Sequence, residues 1–181
     1  MTPPAAWVVL LRGINVGGHN RVPMATLRAH FTRAGCDDVR TYIQSGNLVF
    51  RAPRAVATRA IATLRDTLTT VGVNVPVVSR TGAELAAAVN ANPYARDGVD
   101  PTHLHVGFLA DRPTASRAQA LDPDRSPPDR WHLVGRELFL ACPRGIAKTR
   151  LTSGYLDTTL GTSVTIRNWR TTLAILDLVG R

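Results

Sequence analysis

The sequence predicts an α+β fold of two ferredoxin-like β-α-β-β-α-β repeats, each an antiparallel sheet with its helices packed on one face. Three observations carry this reading. The order of apolar strand patterns and helical stripes runs through once before residue 96 and again after residue 101. In each half the second and third strands are separated by a short glycine-containing turn, Ser45-Gly46 and Gly135-Arg136, as in a hairpin. Between the halves, "RDGVDPT" holds the glycine, proline and aspartates of a boundary.

In the first half, Trp7 to Leu11 is apolar on both faces, which suits a central strand. Pro23 opens a helix in which Met24, Leu27, Phe31 and Ala34 recur at helical spacing, with Gly35 just beyond its end. "VRTYIQSGNLVF" supplies two strands. A second helix carries Val56, Ala60, Leu64, Leu68 and Val71 as its stripe. "VNVPVVS" is a short strand whose Pro76 suits a sheet edge. Thr81 and Glu84 have capping-box spacing for a trailing helix that Asn92-Pro93 ends.

The second half repeats the order. His103 to Leu109 alternates as a strand with Leu104, Val106 and Phe108 on one face, and Ala115 to Leu121 is a short helix. After the loop "DPDRSPPDR", residues 131–141 form a hairpin. Leu151 to Leu160 is a helix closed by Gly161, Ser163 to Arg167 a strand, and Trp169 to Val179 a helix capped by Asn168. The predicted division is residues 1–96, the first repeat with its glycine loop and trailing helix, and residues 101–181, the second repeat.

Composition narrows the class of function. With 44% hydrophobic and 19% charged residues, the 181-residue chain reads as a soluble globular protein. Its longest apolar run, Ala5 to Leu11, is too short to span a bilayer, so no membrane partner is expected. "MTPPAA" places no basic segment before that run, so no signal peptide is read. Cys36 and Cys142 stand apart, without a CxxC or Cys/His cluster, which suits buried reduced thiols and a cytoplasmic location. Neither a metal nor a cofactor is expected.

The 22 basic residues against 13 acidic ones give a net charge of +9. Only Lys148 is lysine, a ratio that codon bias explains as well as a selected arginine surface does. Residues 1–65 hold nine arginines against Asp37 and Asp38, so +7 of the +9 lies in the first third. Such a field favours an anionic partner, either a small ligand or, less favoured here, nucleic acid.

That third also contains "LLRGINVGGHN", a strand running into a loop of glycine, asparagine and arginine. Gly13 and Gly18 have P-loop spacing, but His19-Asn20 stands where Lys-Ser or Lys-Thr belongs, and the helix begins only at Pro23. The loop is therefore not an NTPase motif. Its glycines can still bring backbone N–H groups together around an oxyanion. In a β-α-β-β-α-β unit the first two strands run parallel, so the end of strand one meets the turn between strands two and three. That juxtaposition groups Arg12, Asn15, Gly17, Gly18, His19 and Asn20 with Gln44, Ser45 and Asn47 as a candidate ligand site. Arg12 is the expected charge, its planar fork suiting phosphate or carboxylate, with Asn15 and Asn47 approaching a shared cleft.

The favoured function is binding of a small anionic, phosphate-bearing ligand at this rim. The alternatives are a transferase or hydrolase at the same cleft, with His19 or His105 moving protons, and weak non-specific nucleic-acid binding through the arginine-rich third. No serine or cysteine has an assignable His and Asp partner for nucleophilic catalysis. His103 and His105 share a strand face but have no third ligand for a metal. Strand three offers Leu48, Val49 and Phe50, not the basic-Gly-aromatic signature of RNA-recognition domains.

The stretches "LLRGINVGG", "VPMATLR", "VRTYIQSGNLVF", "ANPY", "HVGFL" and "TIRNW" resemble, in this order, the bacterial domain-of-unknown-function 1697 family. The likeness runs from residue 7 to about residue 178. It implies a two-repeat ferredoxin-like fold and no settled activity. Two departures stand out: the family usually has lysine where this chain has His19, and Ser-Lys near Thr149-Arg150.

Overall fold

A computed structural model describes residues 4–181 and contains two four-stranded antiparallel sheets with helices. In the first sheet, β1 (Ala5–Leu11) lies between β3 (Asn47–Ala52) and the edge strand β4 (Val77–Thr81). β2 (Asp37–Tyr42) pairs with the far side of β3, giving the order β2-β3-β1-β4. Helix α1 (Met24–Arg33) connects β1 to β2, and α2 (Arg54–Thr70) connects β3 to β4. Their stripes bury Leu27, Phe31, Leu64 and Leu68 against Trp7, Val9, Leu11, Leu48 and Phe50. Phe31 stacks on Phe50 with ring centres 4.5 Å apart. Each such side chain taken from water stabilises by about 1.5–3 kcal/mol, which holds both helices to one face of the sheet.

Two helices follow, α3 (Gly82–Ala91) and α4 (Pro93–Arg96). Then the plan recurs through β5 (Leu104–Leu109), α5 (Ala115–Gln119), β6 (Arg130–Val134), β7 (Glu137–Ala141), α6 (Ser153–Leu160), β8 (Val164–Asn168) and α7 (Trp169–Gly180). The second sheet has the order β6-β7-β5-β8, the same as the first. Equivalent backbone bonds close the two hairpins onto the central strands. Leu11 N–H donates to the Gly46 carbonyl at 2.8 Å, and Leu109 N–H donates to the Arg136 carbonyl at 2.9 Å.

Both helix-start signals are realised as the sequence specifies. Thr81 N–H donates to Glu84 Oε2 at 2.7 Å while Glu84 N–H donates to Thr81 Oγ1 at 3.1 Å, a reciprocal capping box. Asn168 Oδ1 accepts from Thr171 N–H at 2.8 Å and starts α7. By backbone contacts the chain forms two compact units, Met1–Ala87 with Ala174–Arg181, and Ala88–Leu173. These divisions fall inside α3 and α7 rather than at the turn-rich stretch near residues 96–101. The end of α7 belongs with the first unit because Val179 closes over Gly82, where a Cβ would lie 2.6 Å from Val179 Cγ1.

Five local features differ from the sequence reading. The β2–β3 connection is a four-residue turn, Ile43–Gly46, not a two-residue one, since Tyr42 pairs with Asn47. β2 is irregular, with Asp38 at φ 50° and a register shift between Asp37 and Arg40. Every residue of β5 is buried, so its alternation of hydrophobicity does not mark an exposed face. His103 lies outside that strand, in a 3₁₀ turn over Pro101–His103, and so forms no strand-face pair with His105. The short α4 was also missed: Asn92, read only as a helix end, accepts from Tyr94 N–H at 3.1 Å and starts the next turn. Among the described residues no helix is long and apolar enough to cross a membrane.

Candidate functional site

At one end of the sheets the first repeat has longer connections than the second. Residues 12–23 connect β1 to α1, whereas residues 110–114 suffice between β5 and α5. The β2–β3 turn likewise has four residues where the β6–β7 turn has Gly135 and Arg136 alone. The first repeat thus carries additional chain at the end of the sheet where the glycine loop lies.

Two apolar side chains pin this loop. Ile14 and Val22 are each 1% exposed and belong to the core of the first unit. Between and beside them the backbone turns left-handed at Gly13, Asn15, Gly17, Gly18 and Asn20. A Cβ built at Gly17 or Gly18 would meet nothing nearer than 3.9 Å. The backbone angle rather than crowding therefore calls for glycine at these two positions. Asparagine is the L-residue that visits the same region most cheaply, which accounts for Asn15 and Asn20.

Asn15 is the staple of the site. Its Nδ2 donates to the Val22 carbonyl at 2.9 Å and to the Gln44 carbonyl at 2.8 Å, while its Oδ1 accepts from Val22 N–H at 2.9 Å. One side chain thereby closes the loop on itself and ties it to the β2–β3 turn. Asn20 Nδ2 donates to the Gly13 carbonyl at 3.0 Å and tightens the same loop. Across the rim, buried Asn47 donates through Nδ2 to the Tyr42 carbonyl at 3.1 Å and to Ser45 Oγ at 3.0 Å. That holds the four-residue turn in shape.

Between loop and turn lies a cavity of about 480 Å³ lined by Asn15, Gly18, Arg21, Val22, Pro23 and Gln44. Pro23 immediately precedes α1, which has no side-chain N-cap and no acidic residue in its first turn. The positive end of that helix dipole is thus left without a protein anion beside the cavity. Arg21 adds a full charge, and among the described residues no carboxylate lines the space.

Of the residues predicted for the site, the structure brings Asn15, Gly18 and Gln44 to the cavity wall. Arg12, half-buried, lies outside this lining, and its N–H donates to the Pro76 carbonyl at 3.1 Å. Gly17, His19 and Asn20 form the exposed tip of the loop, where His19 N–H donates to the Val16 carbonyl at 3.0 Å. Ser45 and Asn47 support the turn without reaching the cavity wall. Sequence reasoning missed Arg21, Val22 and Pro23. The signal for Arg21 was present: it is the last cation before a proline that opens an uncapped helix.

Other reactive groups lie apart from this cavity. Burial pushes the thiols of Cys36 and Cys142 up to about 11, so both are protonated at neutral pH. Burial lowers the pKa of His105, against a raising hydrogen bond from its Nδ1 to the His103 carbonyl at 3.2 Å. The unfolded chain therefore binds this proton more readily than the folded one. Stability contributed by neutral His105 is present above about pH 6.5 and is lost as pH falls toward the lower folded value. Urea midpoints measured between pH 7 and 5 should fall, and His105→Gln should flatten that dependence. An unchanged slope would mean that other groups carry it.

Comparison with known proteins bears on the family and the fold. The family model for proteins of unknown function designated DUF1697 matches residues 5–139. The structure of the conserved bacterial protein SP0830 from Streptococcus pneumoniae superposes with a TM-score of 0.74 at 23% identity, covering 97% of this chain and 99% of that one. At that identity the likeness speaks for the fold alone. No curated protein matches the sequence.

Proposed function

Because the chain belongs to the DUF1697 family of proteins of unknown function, its chemistry must be read from its own residues, and we propose that it binds a small phosphate-bearing anion between the 12–23 loop and the β2–β3 turn. One observation carries the reading: Arg21 lines a cavity that holds no carboxylate and adjoins the uncapped start of α1. A guanidinium presents a planar fork of donors to a phosphate, and the helix start adds a partial positive charge. The Gln44 side chain supplies a neutral amide to orient the ligand. Neither His19 nor His105, the proton-moving candidates for a transferase or hydrolase, lines this space, so binding is favoured over turnover.

Titration calorimetry with inorganic phosphate and pyrophosphate tests the proposal. Arg21→Ala should weaken binding by roughly ten- to a hundredfold, the loss of a charge-assisted contact worth about 1.5–3 kcal/mol. Its melting temperature should barely move, because Arg21 is exposed. Arg12→Ala should leave the affinity near that of the wild type. Equal binding by wild type and Arg21→Ala would refute the site. A nucleic-acid partner would be recognised differently, by an affinity for oligonucleotides that falls steeply with salt as many phosphate contacts are lost.

A further inference from the structure

We propose that the second unit holds a separate ligand site, at the start of α7, which takes a small organic carboxylate with an apolar body. A cavity of about 350 Å³ lies there, lined by Pro101, Thr102, Trp169, Arg170 and Leu173, all residues of the second unit. Its volume is within the range of pockets that enclose small organic ligands. Pro101, Trp169 and Leu173 make much of the wall apolar, so a ligand gains there chiefly by leaving water. The corresponding helix of the first unit has no such space at its first residue. There α3 begins at Gly82, and Val179 Cγ1 lies 2.6 Å from where a Cβ would stand. The second unit places Trp169 at that position and keeps an open cavity beside it.

The polar groups of the wall fix the charge of the ligand. Among the described residues the exposed guanidinium of Arg170 has no ion pair and no hydrogen-bond partner, and no carboxylate lines the space. Asp100, next to Pro101, is engaged elsewhere: it accepts from Thr102 N–H at 2.8 Å and from Thr102 Oγ1 at 2.7 Å. Trp169 is only 7% exposed, yet its indole N–H has no partner among the described residues. The other two tryptophans are satisfied, Trp7 Nε1 by the Ala52 carbonyl at 3.2 Å and Trp131 Nε1 by the Asp122 carbonyl at 3.4 Å. An indole N–H can only donate, and leaving one unpaired in a nearly buried ring is costly. A ligand that brings an acceptor removes that cost. Spacing along α7 joins charge to apolar surface, since Leu173 lies four residues from Trp169 and three from Arg170 and so neighbours both. Leu173 is 41% exposed, which leaves apolar surface beside the cation. The planar guanidinium matches the two oxygens of a carboxylate. One cation and one neutral donor suit a monoanion better than a phosphate dianion, which calls for more donors. The carboxylate therefore goes to Arg170, and its alkyl chain or ring to Trp169, Leu173 and Pro101.

Amide and indole N–H spectra recorded while hexanoate, benzoate, acetate or hexan-1-ol is added test the site. Hexanoate or benzoate should give saturable shifts at Thr102, Arg170, Leu173 and the Trp169 indole, whose signal is identified by its loss in Trp169→Phe. At least one of the two should bind about tenfold more tightly than acetate, the gain expected from burying two or more methylene groups. Arg170→Gln should weaken that carboxylate about tenfold and leave hexan-1-ol unchanged, whereas Leu173→Ser should bring the carboxylate toward the affinity of acetate. Both side chains are exposed, so melting temperatures should stay near that of the wild type and lost binding cannot be ascribed to unfolding. Binding that is equal in Arg170→Gln, or hexan-1-ol binding as tightly as hexanoate, would overturn the carboxylate. Acetate binding as tightly as hexanoate and benzoate would overturn the apolar body. If no probe shifts these residues at tens of millimolar, the site itself fails. Each outcome is independent of phosphate binding at Arg21, which lies in the first unit.

Discussion

Gly46→Ala should destabilise the protein by about 2–4 kcal/mol, lowering its urea midpoint without changing the steepness of the transition. Two causes add. The residue has φ +75°, where a side chain costs about 1–2 kcal/mol. A Cβ there would also lie 2.8 Å from Leu11 Cβ and 2.9 Å from Ile14 Cδ1. Ile14 can rotate away, but Leu11 Cβ is fixed by the central strand, so overpacking of about 1–3 kcal/mol remains. The second repeat provides the contrast. Its equivalent carbonyl, bonded to Leu109, belongs to Arg136, which has no positive φ. The demand for glycine thus arises from the enlarged loop of the first repeat, not from the hairpin plan that both share. A stability within 0.5 kcal/mol of wild type would show that Ile14 does not lie beneath the turn as described.

Asn15→Asp should damage both fold and site. The amide places two N–H groups on the Val22 and Gln44 carbonyls, whereas a carboxylate would set oxygen against oxygen at 2.9 and 2.8 Å. Losing two bonds and leaving their carbonyls poorly satisfied should cost about 2–3 kcal/mol. Asn15→Asp should also lower phosphate affinity more than its stability loss alone explains, because the loop and turn that frame the cavity are no longer tied and a negative charge is added to the lining that includes Arg21. Asn15→Ala, which removes the tie without adding charge, separates the two contributions. Hydrogen exchange at Val22 should quicken in Asn15→Ala, which removes the oxygen that accepts from its N–H, and at the neighbouring loop amides in both variants. Wild-type exchange in either one would contradict the stapling role.

Much of the architecture was legible because it rests on local rules. Pro23 and Gly35 bracket α1, Thr81 and Glu84 start α3, and Asn168 starts α7, each through chemistry that neighbouring residues decide. The convergence of the glycine loop with the β2–β3 turn also followed, since a crossover helix fixes the direction of β2 relative to β1. What escaped were features set by distant parts of the chain. The four-residue turn is shaped by Asn47 reaching back to Tyr42 and Ser45, so "SGN" read in isolation suggested a shorter one. The end of α7 pairs with the first unit because Val179 meets Gly82, 97 positions earlier in sequence. Within the site, the reading gave Asn15 to the ligand, but its amide is engaged within the protein. It also gave the charge to Arg12, where the cavity is lined by Arg21. Residue type announced polarity and freedom of the backbone; only the fold decides which polar atoms are already bonded.

The central claim is that an anion sits between the two loops at the start of α1. Backbone amide spectra recorded while inorganic phosphate is added test it most directly. The account predicts saturable shifts concentrated at Gly18, Arg21 and Gln44 and at the first residues of α1, reduced in Arg21→Ala. Shifts that are absent at millimolar phosphate, or that centre on residues of the second unit, would contradict it.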